Sequence, residues 1–184
     1  MNFEVTPMFS APPSSDGESE SEEATEAYEI ALRVLASRAM SSGKLRERLM
    51  QRDVERSVAD AVVQRVIDAG YLNDQDFAAS AIERLRTRKK LGDGALRQEL
   101  VKLGVRSADA EEALREHAAD DETDLALAAA RERAPRLRSL DRQTAERRLL
   151  GFLQRRGHGG STASRAVKTA LDEVSGPRHR VSFE

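Results

Sequence analysis

The chain has 184 residues, of which 39% are hydrophobic, 34% are charged and only 4% are aromatic, and it contains no Cys and no Trp. This polar, aliphatic composition is typical of helical proteins, and it excludes a disulfide framework, a thiolate metal site and an aromatic-rich β-sandwich core. No apolar run approaches the roughly 20 residues of a membrane span, and the N-terminus lacks the basic start and apolar core of a secretory signal. We therefore expect a soluble, cytoplasmic protein without a membrane partner.

The formal net charge of −2 conceals a segregation of charge along the chain. Residues 1–26 carry seven acidic residues and no Lys or Arg, so the remainder holds 30 basic and 25 acidic residues, a net charge of +5. The leader is rich in Ser, Pro and Glu, a composition that predicts a disordered acidic tail over residues 1–24. Its simplest role is to keep the protein in solution. The alternative is an anionic arm that competes with phosphate for the basic body.

Beyond the leader, apolar residues recur at i, i+3, i+4 and i+7 up to residue 174, which is typical of helices that bury one face. One short segment returns three times at a spacing of about fifty residues. Each copy has two Leu residues one helical turn apart, followed by a residue suited to a left-handed turn. The copies are Leu45, Leu49 and Asp53; Leu96, Leu100 and Gly104; and Leu149, Leu153 and Gly157. Repeats of this length are supersecondary units that stack on their neighbours.

The repeats predict an all-α fold, an elongated and curved array of three tandem three-helix repeats that resemble helix-turn-helix units. We place the repeats at residues 25–70, 71–118 and 119–174, with a loose C-terminus at 175–184. Pro135 is expected to interrupt the first helix of the third repeat or to end it early. The candidate N-cap residues are Ser41, Asn73, Ser107 and Ser161. The aliphatic residues expected in the core are Leu49, Val66, Ile82, Leu85, Leu100, Leu153 and Leu171.

The sequence carries no recognisable catalytic or metal-binding pattern. The His residues at positions 117, 158 and 179 are not spaced as metal ligands, and there is no Cys to join them. His158 occupies the position that Val54 and Val105 hold in the other repeats, which indicates a partly buried packing residue. We expect neither an enzyme nor a cofactor or metal site.

Basic residues gather in two clusters at corresponding places in the second and third repeats. Arg predominates over Lys, and guanidinium groups make bidentate contacts with phosphate and carboxylate groups. A solvated helix face would account for either cluster alone, but the repetition favours an anionic partner: a nucleic acid, an acidic protein surface, or both. The residues expected to contact this partner are Arg84, Arg86, Arg88, Lys89, Lys90, Arg97, Lys102, Arg147, Arg148, Arg155 and Arg156.

A motif that starts at the boundary between the first two repeats resembles a known family. Gly70-Tyr71-Leu72-Asn73-Asp74, then Phe77-Ala78, then Leu96-Arg97-Gln98-Glu99-Leu100 and Gly104-Val105 closely resemble the signature of the RecX family of recombination regulators. The resemblance covers about residues 27–173, and Asp53 stands where the family often has Gly. We expect Tyr71 and Phe77 to wedge the first repeat against the second. The motif residues to which we assign a structural role are Gly70, Tyr71, Leu72, Phe77, Leu96, Leu100 and Gly104.

The resemblance implies a regulator that binds the RecA recombinase, in the helical groove of the filament that RecA forms on single-stranded DNA. It implies that binding suppresses ATP hydrolysis and strand exchange and promotes filament shrinkage, in DNA recombination, DNA repair and the SOS response. A curved monomer with basic clusters at the repeat spacing would bridge successive filament subunits, because several weak contacts act together. The alternative is an autonomous helical DNA-binding module, since helix pairs such as 44–52 and 55–69 look like helix-turn-helix units. A structural scaffold without an anionic partner is the third possibility.

Overall fold

Over residues 15–118 and 122–175, with side chains from residue 22 onward, the computed structural model consists of helices and the turns that connect them. The helices are α1 (Ser15–Ser37), α2 (Ser42–Met50), α3 (Arg56–Asp68), α4 (Asp74–Lys89), α5 (Asp93–Lys102), α6 (Ser107–Glu116), α7 (Glu122–Arg133), α8 (Arg142–Arg155) and α9 (Gly160–Ser175), with a short 3-10 helix at Ala134–Leu137. The prediction of an all-α fold with three helices in each of three tandem repeats is confirmed for these residues.

The chain divides into two compact units. Among the described residues, the first unit comprises those up to Ala39 together with Leu45–Leu72, and the second comprises Met40–Lys44 and those from Asn73 onward. In the first unit α1 packs along α3. The second unit contains the second and third repeats, each with a hydrophobic cluster of its own.

The first helix begins earlier than the sequence predicts. Residues 15–24, assigned above to the disordered tail, are the start of α1. Glu and Ala are good helix formers, and carboxylates near a helix N-terminus interact favourably with its dipole. Residues 1–14, 119–121 and 176–184 lie outside the described residues, and with them the rest of the predicted acidic tail and nearly all of the predicted loose C-terminus.

The predicted core residues are buried. Every one of the seven aliphatic residues named above is less than one-tenth exposed, as Leu49, Leu100 and Leu153 at 0% illustrate. In the second repeat the cluster joins α4, α5 and α6, and in the third it joins α7, α8 and α9. These residues lie at the spacings that the helical period assigns to one face, which is why periodicity identified them.

The three turns that follow the repeated Leu pairs share one hydrogen-bonding pattern. Asp53, Gly104 and Gly157 all have a positive φ, at 65°, 86° and 84°. The amide of the residue that follows each of these three turn residues donates to the carbonyl of the second Leu of the pair. These bonds are Val54 N–H to Leu49 O at 3.3 Å, Val105 N–H to Leu100 O at 3.0 Å and His158 N–H to Leu153 O at 3.0 Å. This is the Schellman motif, which satisfies the last carbonyls of a helix, and the predicted left-handed turns are confirmed.

Two of the four predicted N-caps are confirmed. The Asn73 side chain accepts hydrogen bonds from the first amides of α4, and the Ser41 hydroxyl accepts one from Lys44 N–H at 3.2 Å. The other two are wrong: α6 begins at Ser107 itself, and α9 begins at Gly160, ahead of Ser161. In both cases the serine lies inside the first turn instead of before it, so its hydroxyl does not cap the helix.

Pro135 ends a helix as predicted. The α-helix stops at Arg133 and continues as a 3-10 turn that contains Pro135. Proline has no amide hydrogen to continue the α-helical pattern, and its ring clashes with the preceding turn.

Candidate partner-binding surface

The third repeat docks on the second through the turn after α8. Gly92 N–H donates to the carbonyl of Arg156 at 2.8 Å. Gly157 lies so close to the start of α5 that a Cβ added to it would be 2.2 Å from the nitrogen of Ala95. The backbones of the two repeats are therefore in direct contact at this joint. Such a close contact is possible only because Gly157 has no side chain.

Met40–Lys44, which belong to the same unit, form an equivalent joint with the turn after α5. The Ser41 hydroxyl donates to the carbonyl of Leu103 at 2.6 Å, and a Cβ added to Gly43 would be 2.3 Å from the carbonyl oxygen of Gly104. Ser42 is held by Asp74, which accepts from its amide at 2.8 Å and from its hydroxyl at 2.5 Å. The same turn thus docks in the same way at two places in the chain.

His158 connects the joint to the end of α4. Its side chain is completely buried, which exceeds the partial burial predicted, and its Nε2 donates to the carbonyl of Lys90 at 2.8 Å. Nδ1 has no hydrogen-bond partner among the described residues and lies 3.9 Å from a carboxylate oxygen of Glu122. His158 is a packing residue that also fixes the backbone of the neighbouring repeat.

Arg86, one of the predicted contact residues, is used inside the fold. Its side chain is only 13% exposed and pairs with Asp93 at 2.8 Å, and its guanidinium also donates to the carbonyl of His117. It therefore holds the ends of three helices of the second repeat together. A cation with these partners is not available to a second molecule without breaking the repeat.

Lys90 and Arg156 are also used inside the fold. Lys90 caps α4 in the left-handed conformation, with φ 48°, and its ammonium lies 2.5 Å from Glu132 in the third repeat. Arg156 donates to the carbonyl of Lys89 at 2.5 Å and lies over the ring of Phe152. Both side chains connect the second repeat to the third.

Three further predicted contact residues form ion pairs on the surface of the second repeat. Lys89 and Lys102 pair with Glu99 at 4.0 and 2.9 Å, and Arg97 pairs with Glu111 at 3.5 Å. The hydrogen bond from Lys102 lowers the pKa of Glu99 below its ordinary value. Exposed pairs of this kind contribute about 1 kcal/mol or less, so a partner's anion can replace the internal carboxylate at small cost.

The remaining five predicted residues are exposed and form no ion pair with the described residues: Arg84, Arg88, Arg147, Arg148 and Arg155. Arg84 and Arg88 are one turn apart on α4, so they share a face. Arg148 and Arg155 are two turns apart on α8 and share another. In the part of the chain that the structure describes, these are the cations of the two clusters that have no carboxylate partner.

One cation of this surface was not predicted from the sequence. Lys168 on α9 is exposed and has no ion-pair partner among the described residues, and it lines the same groove as Arg147. It is the only Lys in α9 and lies outside both clusters, so the density of basic residues along the chain gives no signal for it. Only the packing of α9 on α8 brings Lys168 to the same groove as Arg147.

The motif residues occupy structural positions, with one exception. Leu96 and Leu100 are completely buried, and Phe77 packs against the core of the second repeat. Tyr71 is 61% exposed, so the prediction that it acts as a wedge is wrong. In the non-helical link between α3 and α4, Leu72 is buried at 5% exposure while its neighbour Tyr71 faces solvent. Gly70 and Gly104 both have a positive φ in turns that end helices.

Within the described ranges, no group of three His, Asp or Glu side chains is placed to hold a metal ion. None of the helices there has both the length and the apolar character needed to cross a bilayer.

Comparison with known families accounts for all three repeats. Residues 27–65 match the first three-helix domain of RecX, residues 73–114 the second and residues 120–167 the third, together well over half of the chain. The chain belongs to the RecX family. A regulatory protein RecX of Amycolatopsis mediterranei is 33% identical over 147 residues, which cover 80% of this chain and 84% of that protein. A regulatory protein RecX of Mycobacterium sp. (strain KMS) is 33% identical over 172 residues, 91% of each chain.

Solved structures of RecX proteins share the fold. The crystal structure of RecX from Lactobacillus salivarius superimposes with a TM-score of 0.73 at 17% identity, over 82% of this chain and 97% of that one. A second crystal structure of a regulatory protein RecX gives the same TM-score at 18% identity. This RecX-family chain therefore has the family's three-domain helical fold, in a family of regulatory proteins.

Proposed function

We propose that this protein binds the RecA recombinase and the filament that RecA forms on single-stranded DNA, and that it lowers ATP hydrolysis, strand exchange and filament growth. It would act in recombination and DNA repair, as part of the SOS response. The observation that carries the proposal is the presence of all three RecX domains in order along the chain. The unpaired arginines on two successive repeats support it, because they suit an acidic partner.

The mechanism needs binding only. Arg84 and Arg88 lie on the second repeat, and Arg147, Arg148 and Arg155 lie on the third. Guanidinium groups contact phosphate or carboxylate oxygens in a bidentate manner. Two weak contact sites on one chain become strong together when a repeating partner offers matching sites. A protein held in this way on a filament would exclude incoming duplex DNA and block subunit addition by occupancy.

The test is the ATP hydrolysis of the cognate RecA on single-stranded DNA, titrated with this protein below one molecule per RecA monomer. Strong inhibition at such ratios is the expected result. The double charge reversal Arg84→Glu with Arg88→Glu should raise the concentration needed for inhibition by about tenfold. A matched reversal outside both clusters, Arg33→Glu with Arg38→Glu on exposed positions of the first unit, should leave inhibition nearly unchanged. Hydrolysis untouched by the wild-type protein would refute the proposal.

The second candidate function is direct DNA binding without RecA, which the same unpaired arginines would permit. The two functions differ in their response to salt. Binding through six or more phosphates loses about 10³-fold or more in affinity between roughly 50 and 200 mM salt. The net charge of −2 over the whole chain argues for weaker direct binding. A shift of naked DNA at moderate salt, with RecA hydrolysis unaffected, would favour this second function.

A further inference from the structure

A groove follows the seam between α8 and α9 on the surface of the third repeat, with a volume of about 440 Å³. Its apolar side is formed by Leu150 and Val167, both of which belong to the packing of the third-repeat core. The lining residues recur at intervals of one helical turn, as Arg142, Glu146 and Leu150 do on α8, so the groove runs along the helix axes.

The groove carries free positive charge. Arg147 on α8 and Lys168 on α9 both line it, both are exposed, and neither has an ion-pair partner among the described residues. The carboxylate that lines it, Glu146, already accepts a hydrogen bond from Arg142 at 2.6 Å. Arg142 in turn is also bound to Asp172 at 2.7 Å. An anionic occupant would therefore meet two cations without competing against an internal carboxylate for either.

The chemistry of the groove favours a polypeptide over a nucleic acid. Single-stranded nucleic acid is usually held by aromatic side chains on which its bases stack, and none of the described residues that line this groove is aromatic. A phosphate backbone would satisfy the two cations but would offer no apolar group to Leu150, which is only half-buried. An aliphatic side chain flanked by carboxylates would satisfy both parts at once.

We propose that the α8–α9 groove is the site where an acidic segment of the partner protein docks, with an aliphatic side chain against Leu150 and Val167 and carboxylates against Arg147 and Lys168. This proposal rests on the proposed function. It assigns the contact with RecA and the contact with nucleic acid to different surfaces of the protein. Arg84 and Arg88 are not among the residues that line this groove, and in this proposal they contact the nucleic acid.

The test compares two double charge reversals that change the net charge equally. The groove variant is Arg147→Glu with Lys168→Glu, and its matched control is Arg84→Glu with Arg88→Glu. For each, the affinity for the cognate RecA in the absence of DNA is measured by biolayer interferometry, and the affinity for a labelled oligo-thymidine strand by fluorescence anisotropy. We expect the groove variant to lose about tenfold or more in RecA affinity, and the control to lose much less. For the oligonucleotide, the order of the two losses should be reversed.

Each outcome is informative. Equal losses of RecA affinity in the two variants would overturn the groove proposal while leaving the proposed function in place. A larger loss of oligonucleotide affinity in the groove variant than in the control would show that the groove takes nucleic acid, which also overturns it. Absence of RecA binding and inhibition by the wild-type protein would overturn the proposed function and this proposal together. Because all four positions are exposed, both variants should keep the wild-type melting temperature. If the groove variant melts at a lower temperature, the neutral double substitution Arg147→Gln with Lys168→Gln is measured in its place, and a smaller loss of RecA affinity is expected.

Discussion

Substitution of Gly157 by Ala tests whether the joint between the second and third repeats depends on the absence of a side chain. Two effects should act together at this position. The φ of 84° is a left-handed conformation, which costs an L-residue about 1–2 kcal/mol. The new Cβ would also lie 2.2 Å from Ala95 N and 2.8 Å from Gly92 O. These are backbone atoms, so the two repeats must separate to admit it.

Separation would break the hydrogen bond from Gly92 N–H to Arg156 O and the one from His158 to Lys90 O. Each contributes about 1 kcal/mol, so we expect Gly157→Ala to lower the free energy of unfolding by about 3–4 kcal/mol. Gly160 in the same unit is the matched control. It also has a positive φ, 57°, but a Cβ there meets no atom within 4 Å. Gly160→Ala should therefore cost only the conformational part, about 1–2 kcal/mol.

Equilibrium unfolding in urea, followed by far-UV circular dichroism, measures both variants. The conformational contribution is shared, so the difference between them isolates the contact at the joint. If the free energies of unfolding of the two variants fall by the same amount within about 0.5 kcal/mol, the close backbone contact at Gly157 does not stabilise the joint between the repeats.

Two further predictions concern charge. Lys90→Met should lower the free energy of unfolding by about 0.5–1 kcal/mol at pH 7, because it removes the partly exposed ion pair with Glu132. The hydrogen bond from Lys90 lowers the pKa of Glu132 in the folded state below its ordinary 4.5. The loss of stability should therefore be complete above pH 4.5 and should disappear as the pH falls through the lower folded-state pKa. Urea titrations at neutral and acidic pH measure it, and a loss independent of pH would contradict the assignment. Deletion of residues 1–21 removes four acidic and no basic residues and changes the net charge from −2 to +2. We expect the shortened protein to bind an oligonucleotide about two- to fivefold more tightly at low salt. At high salt, where the Debye length is only a few ångströms, the two proteins should bind equally well. An affinity unaffected by the deletion at low salt would show that the leader does not compete with phosphate.

The parts of the fold that depend on local chemistry could be predicted from the sequence. The three turns were identified because a left-handed residue between a helical Leu and a second apolar residue satisfies the Schellman motif locally. The core residues were identified because the helical period repeats within each helix. Both signals need only neighbours within a few positions.

Which basic residues have partners inside the fold and which stay exposed could not be predicted in the same way. Arg84, Arg86 and Arg88 share one helix, yet only Arg86 is used inside the fold, since its partners Asp93 and His117 come from other helices. One available signal was its position four residues after Ile82, at the border of the buried stripe. Lys90 and Arg156 gave no such signal, because their partners lie in a different repeat.

The two glycine joints also depend on positions that are not glycine in every repeat. At the position of Gly43 in the first repeat and Gly94 in the second, the third repeat has Arg147. At the other end, the turn of the first repeat carries the exposed Asp53 in place of glycine. Because a Cβ at Gly43 or at Gly157 would lie 2.3 or 2.2 Å from a backbone atom of the facing segment, the same close backbone contact cannot form through Arg147 or through Asp53.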